Sequence, residues 1–596
     1  MSGRPRTAQE LIHWLEMGGG ARWVLLAAIL CGGLVVSALV SWRQFHGAAS
    51  EPTLVQADTG RQLALGRGFT TGVIYPQEVA FLRRRGVRFS PGATYPELYQ
   101  APLYSVSIAA AIRLAGLLPS SVRPDLFGPV PAPPYGYAAD YLLLGLNLVL
   151  FWAAIWLAYR LARSLFGMPA AVLSAAAIFC SLPLWQQVVA VNGNALLMVL
   201  ALGAFTAWWR AESAPTLRAA AAALALLGAL CGALFLTEYS AGILVLLAVA
   251  GAGSRFGEAR WRAGGLVLAG FIVVSAPWIA RNLAVSGLPA ALATQNVALK
   301  VGDPTAEPSV ARATFSADLP PVELNKLANK VLTAAQDCLR SRVWSGGAMW
   351  FAGLFAAAWL YVFRLPAVNR LRWLLAASVL VLVASQAAFS SGESERPVLV
   401  WMAPLIIVFG AGFFFVLLSA NPVLGSWPRL CAALLVGLQA LPLAHDALDP
   451  HWLHFQYPPY FPQLLQGMRR QLHASDPDGR YGLMADLPGG LAWYGNTRVW
   501  AQPATLRDFY SVQVEQPTGE LLLTPKTLDR PFFTDLSAKA KMPGFLTASV
   551  PRIGEWGEVY GGLLTGSFPS QFPLSVPRKV TEDLYVLLNA SLVPPR

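Results

Sequence analysis

Long uninterrupted apolar runs recur along the first three-quarters of this chain, and they leave it very few possible folds. The first extends from Trp23 to about Val40 and the second from Tyr141 to about Leu157. Runs of about 18 or more apolar residues cross a hydrocarbon layer of ~30 Å as helices. Only helices or closed barrels satisfy their backbone polar groups in that layer. The runs are continuous rather than alternating, so helices are expected, not barrel strands. Composition agrees, with 55% hydrophobic and 13% charged residues against roughly 25% charged in a soluble domain. Candidate spans fall near 23–41, 141–159, 168–188, 194–209, 219–236, 240–252, 264–280, 345–363, 373–390, 398–418 and 430–446, about eleven in all.

Charge orders these spans. Arg4 and Arg6 precede the first, Arg160 and Arg163 follow the second, and Arg210 and Arg218 separate the fourth from the fifth. Arg255, Arg260 and Arg262 follow the sixth, and Arg364, Arg370 and Arg372 follow the eighth. With alternating spans all of these share one side, while the connections Val191–Gly193 and Thr237–Tyr239 carry no Lys or Arg. The positive-inside rule then puts the N-terminus in the cytoplasm. The 42–140 loop, the Leu283–Trp344 loop, the Ser390–Pro397 turn and everything after His445 lie outside. A multi-pass protein of the inner membrane is expected. Its net charge of +12 belongs to the loops between spans, and no nucleic-acid partner is implied.

The five cysteines form no framework: Cys31, Cys180, Cys231 and Cys431 lie in apolar runs and Cys338 in a loop. Neither disulfide nor metal-ligand spacing is present. Ser41-Trp42-Arg43 after the first run offers no small-residue cleavage site, so that run reads as a retained anchor. From about Asp446 apolar runs shorten to strand length, as in Arg480–Ala485, Glu520–Leu523 and Leu584–Leu588, with Gly and Pro between them. His445, His451 and His454 there sit among Pro and aromatic residues, which suits an interfacial linker better than a metal cluster. The expected organisation is a cytoplasmic N-terminus at 1–22, a transmembrane domain at 23–446 that includes the external loop 42–140, and a soluble external α/β domain at 447–596. Ionisable residues such as Asp140, Glu238 and Arg281 stand at span edges. Mid-membrane charges and broken inverted repeats mark ion-coupled transporters, so that class is disfavoured.

Four elements occur in a fixed order on the external side. They are Asp58-Thr59-Gly60-Arg61-Gln62-Leu63-Ala64-Leu65-Gly66-Arg67-Gly68-Phe69, then Tyr99-Gln100-Ala101-Pro102-Leu103-Tyr104-Ser105, then Pro277-Trp278-Ile279-Ala280-Arg281-Asn282, then Glu395-Arg396-Pro397 with Ala403-Pro404. Together they resemble the GT-C superfamily of membrane glycosyltransferases, in particular the branch of protein O-mannosyltransferases and lipid A aminoarabinose transferases. The resemblance covers about residues 20–420. It implies a GT-C-like helical fold, a polyprenyl-phosphate sugar donor, and an external protein, glycan or lipid acceptor.

The resemblance also implies roles. Asp58 is the expected general base, since a carboxylate beside the acceptor takes its proton as it attacks the anomeric carbon; the bland alternative is a helix N-cap. Arg281 and Arg396, then Lys300, Arg83 and Arg84, are the expected partners of the lipid phosphate, where negative charge develops and the planar guanidinium fork fits. Arg83–Arg85 also suit anionic headgroups. Glu97, Tyr99, Tyr104, Asn192, Asn194 and Glu238 are candidates for holding acceptor or sugar. The tyrosines also read as interfacial anchors, Glu97 as a solvated loop residue, and Glu238 as a helix-end group seeking water. Amides at Asn192 and Asn194, where relatives carry a carboxylate, leave a two-carboxylate site unsupported, so no metal is expected to be required. A lipid-carrier flippase and a non-catalytic envelope assembly protein are the competing readings.

Overall fold

The computed structural model describes residues 19–528 and 556–592, apart from 49, 92, 120–124, 130–135, 300–307, 390–395, 449–460 and 582–583. Eight described helices are long and apolar enough to cross a membrane: Trp23–Gln44, Ala138–Phe166, Asn194–Ser213, Leu217–Thr237, Gly257–Ser286, Pro366–Phe389, Ala403–Ala420 and Pro428–Leu448. The other three expected spans take different forms. The run at 168–188 is a pair, Met168–Phe179 and Leu182–Val189, bent by 55°; Pro183 at the start of its second half leaves no N–H to continue the first. The run at 240–252 is the 3-10 segment Tyr239–Ile243 followed by the twelve-residue helix Leu244–Arg255. The run at 345–363 contributes the nine-residue helix Trp350–Ala358.

The bundle core is apolar and aromatic, with Phe151, Trp185, Phe205, Trp208, Phe351 and Trp401 fully enclosed. In lipid, helices associate by close packing rather than by escape from water, which favours small residues at contacts. The spans Leu217–Thr237 and Gly257–Ser286 show this reciprocally. A Cβ on Gly228 would stand 1.9 Å from the Val267 carbonyl oxygen, and one on Gly270 would stand 2.1 Å from that of Ala225.

The first loop folds over one end of this bundle. Its helices are Glu51–Ala64, Pro76–Arg84 and Leu103–Gly116, and it carries the short strands β1 (Thr70–Thr71), β2 (Val73–Ile74) and β3 (Tyr95–Pro96). Ser50 caps the first helix, its hydroxyl accepting from Thr53 N at 3.3 Å, with Pro52 in the first turn where a missing N–H costs nothing. Strands β1 and β3 pair antiparallel.

Strand β2 does something the sequence did not announce: it joins the C-terminal sheet. The strands β4 (Gly482–Ala485), β5 (Val499–Ala501), β6 (Thr518–Leu523), β7 (Val576–Thr581) and β8 (Leu584–Leu588) complete a sheet of order β2-β5-β4-β6-β8-β7. Strands β2, β5, β4 and β6 run parallel, and β8 and β7 antiparallel. Helices Pro488–Gly495 and Leu506–Glu515 lie between successive parallel strands, as a parallel sheet requires. One hydrophobic core unites Val73, Ile74, Leu98 and Tyr99 of the loop with Trp493, Trp500 and Leu521 of the C-terminal region. The separate external domain expected at 447–596 is therefore incomplete without residues of the first loop, and the two form a single α/β body. Of the expected interfacial linker from His451 to Gln463, residues 451–460 lie outside the described residues.

Candidate active site

The first-loop helix Glu51–Ala64 is buried along most of its length, and its two faces do different work. Gln56 points to the bundle, where its Oε1 accepts from Arg396 Nη2 at 2.7 Å. Arg396 also donates through Nε to the Asn192 carbonyl at 2.8 Å and through Nη1 to that of Thr237 at 2.9 Å. The same Nη1 meets Glu238 Oε2 at 3.3 Å. Arg396 thus ties the loop helix to the turn before the span Asn194–Ser213 and to the end of the span Leu217–Thr237. Burial raises the pKa of the Glu238 carboxyl, and the Arg396 charge opposes the rise.

The opposite face carries Asp58 and Arg61, which form an ion pair one helical turn apart with almost no exposure. Asp58 Oδ2 accepts from Gly72 N at 2.6 Å and from the Thr71 hydroxyl at 3.2 Å, and Oδ1 from Arg61 and, at 3.5 Å, from Gln62. A carboxylate offers about four lone-pair sites, and four donors of the chain itself approach this one. Arg61 continues outward to the carbonyls of Trp493 at 2.9 Å and Ala492 at 2.6 Å, between the rings of Phe127 and Trp493. A side chain at Gly72 would meet Thr497 O at 2.9 Å and Asp58 Oδ2 at 3.2 Å, so only glycine lets the strand pass. In this geometry Asp58 braces the loop against the C-terminal region and has no oxygen turned to an acceptor.

Carboxylates with buried, unpartnered oxygens stand elsewhere in the same loop. Glu97 Oε1 accepts from Tyr99 N at 2.7 Å and Gln100 N at 2.9 Å, which fixes the group. Among the described residues its Oε2 is buried without a hydrogen-bond partner, as are both oxygens of Glu78. Burial drives Glu78 well above the ordinary carboxylate range, and the charge of Glu97 adds to the rise while Arg281 opposes it. Burial also raises Glu97, against the Tyr99 and Gln100 amides and the guanidiniums of Arg312 and Arg281. Two like charges that sense each other share protons unequally, which is a useful arrangement for proton transfer.

Arg281 stands over this pair. It donates through Nη1 to the Glu97 carbonyl at 2.9 Å and through Nη2 to that of Phe69 at 3.2 Å, with the Trp278 ring 4.7 Å beneath its guanidinium. Its Nε makes no hydrogen bond among the described residues. Tyr99 closes the opposite side: its hydroxyl donates to Gln77 Oε1 at 3.2 Å, and Arg312 lies 4.5 Å from its ring. Gln77 and Gln295 exchange amide hydrogen bonds at 2.7 and 2.9 Å.

No protein-family model and no curated protein sequence matches this chain. Among solved structures it is similar to ArnT from Cupriavidus metallidurans bound to undecaprenyl phosphate, with TM-score 0.53 and 13% identity over 97% of this chain and 100% of that one. The two chains share a fold. The oligosaccharyltransferase AglB from Archaeoglobus fulgidus, in complex with an inhibitory peptide and a dolichol-phosphate, is also similar. Its TM-score is 0.50, its identity 13%, and the match covers 83% of this chain and 69% of that one. At such identity the likeness concerns fold, and residue roles rest on the geometry above.

Within this fold several expected residues are committed to structure. Arg83 pairs with Glu515 at 2.5 Å and Arg84 with Asp318 at 2.8 Å. Both are surface pairs whose arginine side chains are largely exposed. Tyr104 is fully buried, donating to the Val191 carbonyl and accepting from Asn147 Nδ2 at 2.8 Å, so its ring is closed to a sugar. Asn192 and Asn194 both donate to Gln187 Oε1, at 2.9 and 2.7 Å, and their amides organise a turn. Lys300 lies outside the described residues. Glu97, Tyr99 and Arg281 are brought together; Glu238 and Arg396 form a second, bundle-facing group. Glu78, Arg312 and Gln295 escaped the sequence reading. Glu78 had one readable signal, a carboxylate in the first turn of a helix whose neighbours Val79, Phe81 and Leu82 are apolar.

Proposed function

We propose that this chain is a glycosyltransferase of the inner membrane. It moves a sugar from a polyprenyl-phosphate donor to an acceptor on the extracytoplasmic face, with its N-terminus in the cytoplasm. The observation that carries the reading is the juxtaposition of Glu97 and Arg281: a fixed, buried carboxylate with one oxygen unpartnered among the described residues, whose own backbone carbonyl is held by a guanidinium near the end of a span.

Glu97 Oε2 takes the proton of an acceptor hydroxyl or amine as that group attacks the anomeric carbon. The sugar–phosphate bond breaks as the new bond forms, and the lipid phosphate departs with the electron pair. Arg281 stabilises the negative charge that gathers on it. Glu78 holds the neighbouring proton inventory, and Tyr99 and Arg312 wall the site. Asp58, the residue the sequence order favoured for the base, has the bracing role instead.

The test uses proteoliposomes holding the full chain, supplied with polyprenyl-phosphate sugars extracted from envelope membranes and a crude envelope acceptor fraction. Mass spectrometry follows free polyprenyl phosphate and any new glycan mass. Wild-type protein discharges the donor; Glu97→Gln binds polyprenyl phosphate but does not. Intact donor crossing the bilayer without discharge would end the proposal in favour of a flippase.

A further inference from the structure

A pocket of about 340 Å³ lies between the first loop and the C-terminal body. Three arginines from three separate segments line it: Arg67 after the first-loop helix, Arg469 on the helix Pro462–Ser475, and Arg498 just before β5. His473 adds a fourth basic group. Each guanidinium is steadied by a neutral acceptor. Arg67 Nη1 donates to Gln62 Oε1 at 3.1 Å, Arg469 Nη1 to the Gly495 carbonyl at 3.3 Å, and Arg498 Nη1 to the Pro91 carbonyl at 2.7 Å. No carboxylate among the described residues pairs with any of them. The one acid in the wall, Asp476, is buried and accepts from Tyr481 N at 2.6 Å.

Several like charges gathered around one concavity repel one another, and partial burial strengthens the repulsion. Burial and the positive charge of Arg67 both act to lower the pKa of Arg498. An oxyanion in the pocket would relieve that repulsion and meet the fork geometry that guanidinium offers. Position narrows the source. Gln62 enters the pocket from the face of the first-loop helix that Asp58 and Arg61 turn to the C-terminal body, while Gln56 on the other face meets the bundle. The pocket therefore lies on the face of the first-loop helix turned from the bundle, which favours a soluble acceptor over a lipid headgroup.

We propose that this pocket binds an oxyanion, phosphate or carboxylate, carried by the acceptor. The word acceptor rests on the transferase reading above; anion binding itself does not. Calorimetry on the full chain in phosphatidylcholine nanodiscs, titrated with inorganic phosphate and separately with glucuronate, tests it. Saturable binding is expected for wild type, and at least about tenfold weaker binding for Arg67→Gln/Arg498→Gln, with an unchanged unfolding midpoint. Arg160→Gln, on the far side of the bundle, should bind as wild type. Equal affinity in the double variant, or no saturable binding by wild type, would overturn the site. Repeating the titration with phosphatidylglycerol in the nanodisc separates the sources. Phosphate affinity that falls for wild type alone would assign the pocket to lipid headgroups and overturn the acceptor assignment. Arginine-dependent binding in a protein that discharges no donor would keep the pocket and defeat only the transferase reading.

Discussion

Asp58 and Arg61 close a buried ion pair on one turn of the first-loop helix, and Arg61 carries the contact on to the carbonyls of Ala492 and Trp493. A short pair in sequence thereby joins segments more than four hundred residues apart.

Removing one partner of such a pair leaves an uncompensated buried charge, at a cost of about 3–5 kcal/mol. Asp58→Asn should therefore lower the unfolding midpoint and speed proteolysis of the C-terminal body, and Asp58→Asn/Arg61→Met should recover part of the loss. Loss of activity in Asp58→Asn is thus ambiguous by itself. An unchanged midpoint with abolished transfer would return the base to Asp58.

Glu97→Gln keeps both backbone hydrogen bonds to its Oε1 position and removes only the ability to accept a proton. Transfer should fall by roughly 10²–10⁴-fold, with the unfolding midpoint and lipid-phosphate affinity preserved. Single-turnover discharge of donor, measured beside thermal unfolding, separates this from a structural effect.

Arg281→Gln should weaken binding of polyprenyl phosphate by about tenfold or more, since hydrogen bonds to charged groups contribute roughly 1.5–3 kcal/mol. Arg281→Lys keeps the charge but loses the fork and should recover only part. Native mass spectrometry with undecaprenyl phosphate as probe measures both. Equal affinity in all three forms would show that the phosphate sits elsewhere.

Glu520 in β6 is buried, with Oε2 unpartnered among the described residues, and burial raises its pKa from the ordinary 4.5 to about 7 against the pull of Arg578. Between those values the folded chain binds more protons than the unfolded chain, so stability falls as pH rises through the window. The change is on the order of 3 kcal/mol in total. Unfolding midpoints of the detergent-solubilised chain should drop from pH 5 to pH 8, and Glu520→Gln should flatten that contribution. An identical slope in the variant would exclude Glu520 as its source.

Much of the fold could be read directly from the chain. Apolar runs marked the bundle because membrane insertion depends on local composition, and Arg281 stood at a span end because the span itself ended there. Glu97 and Tyr99 were visible as members of one loop segment. Glu78 and Arg312 were not, because nothing local distinguishes a solvated acid or base from one enclosed by distant segments. Span count was blurred for a similar reason: hydropathy does not register the 55° bend at 168–188 or the shortness of the helices near 244 and 350.

By itself, the sequence determined a polytopic helical protein with a long first loop and a strand-bearing C-terminal region, since these depend on residues close together in the chain. Only the tertiary structure decided that β2 of that loop completes the C-terminal sheet, that Asp58 is spent on Arg61 and Gly72, and that Glu97 keeps an unpartnered oxygen among the described residues while Arg281 holds its backbone carbonyl. Whether a carboxylate braces or reacts depends on which donors distant segments bring to its oxygens, and that is a property of packing.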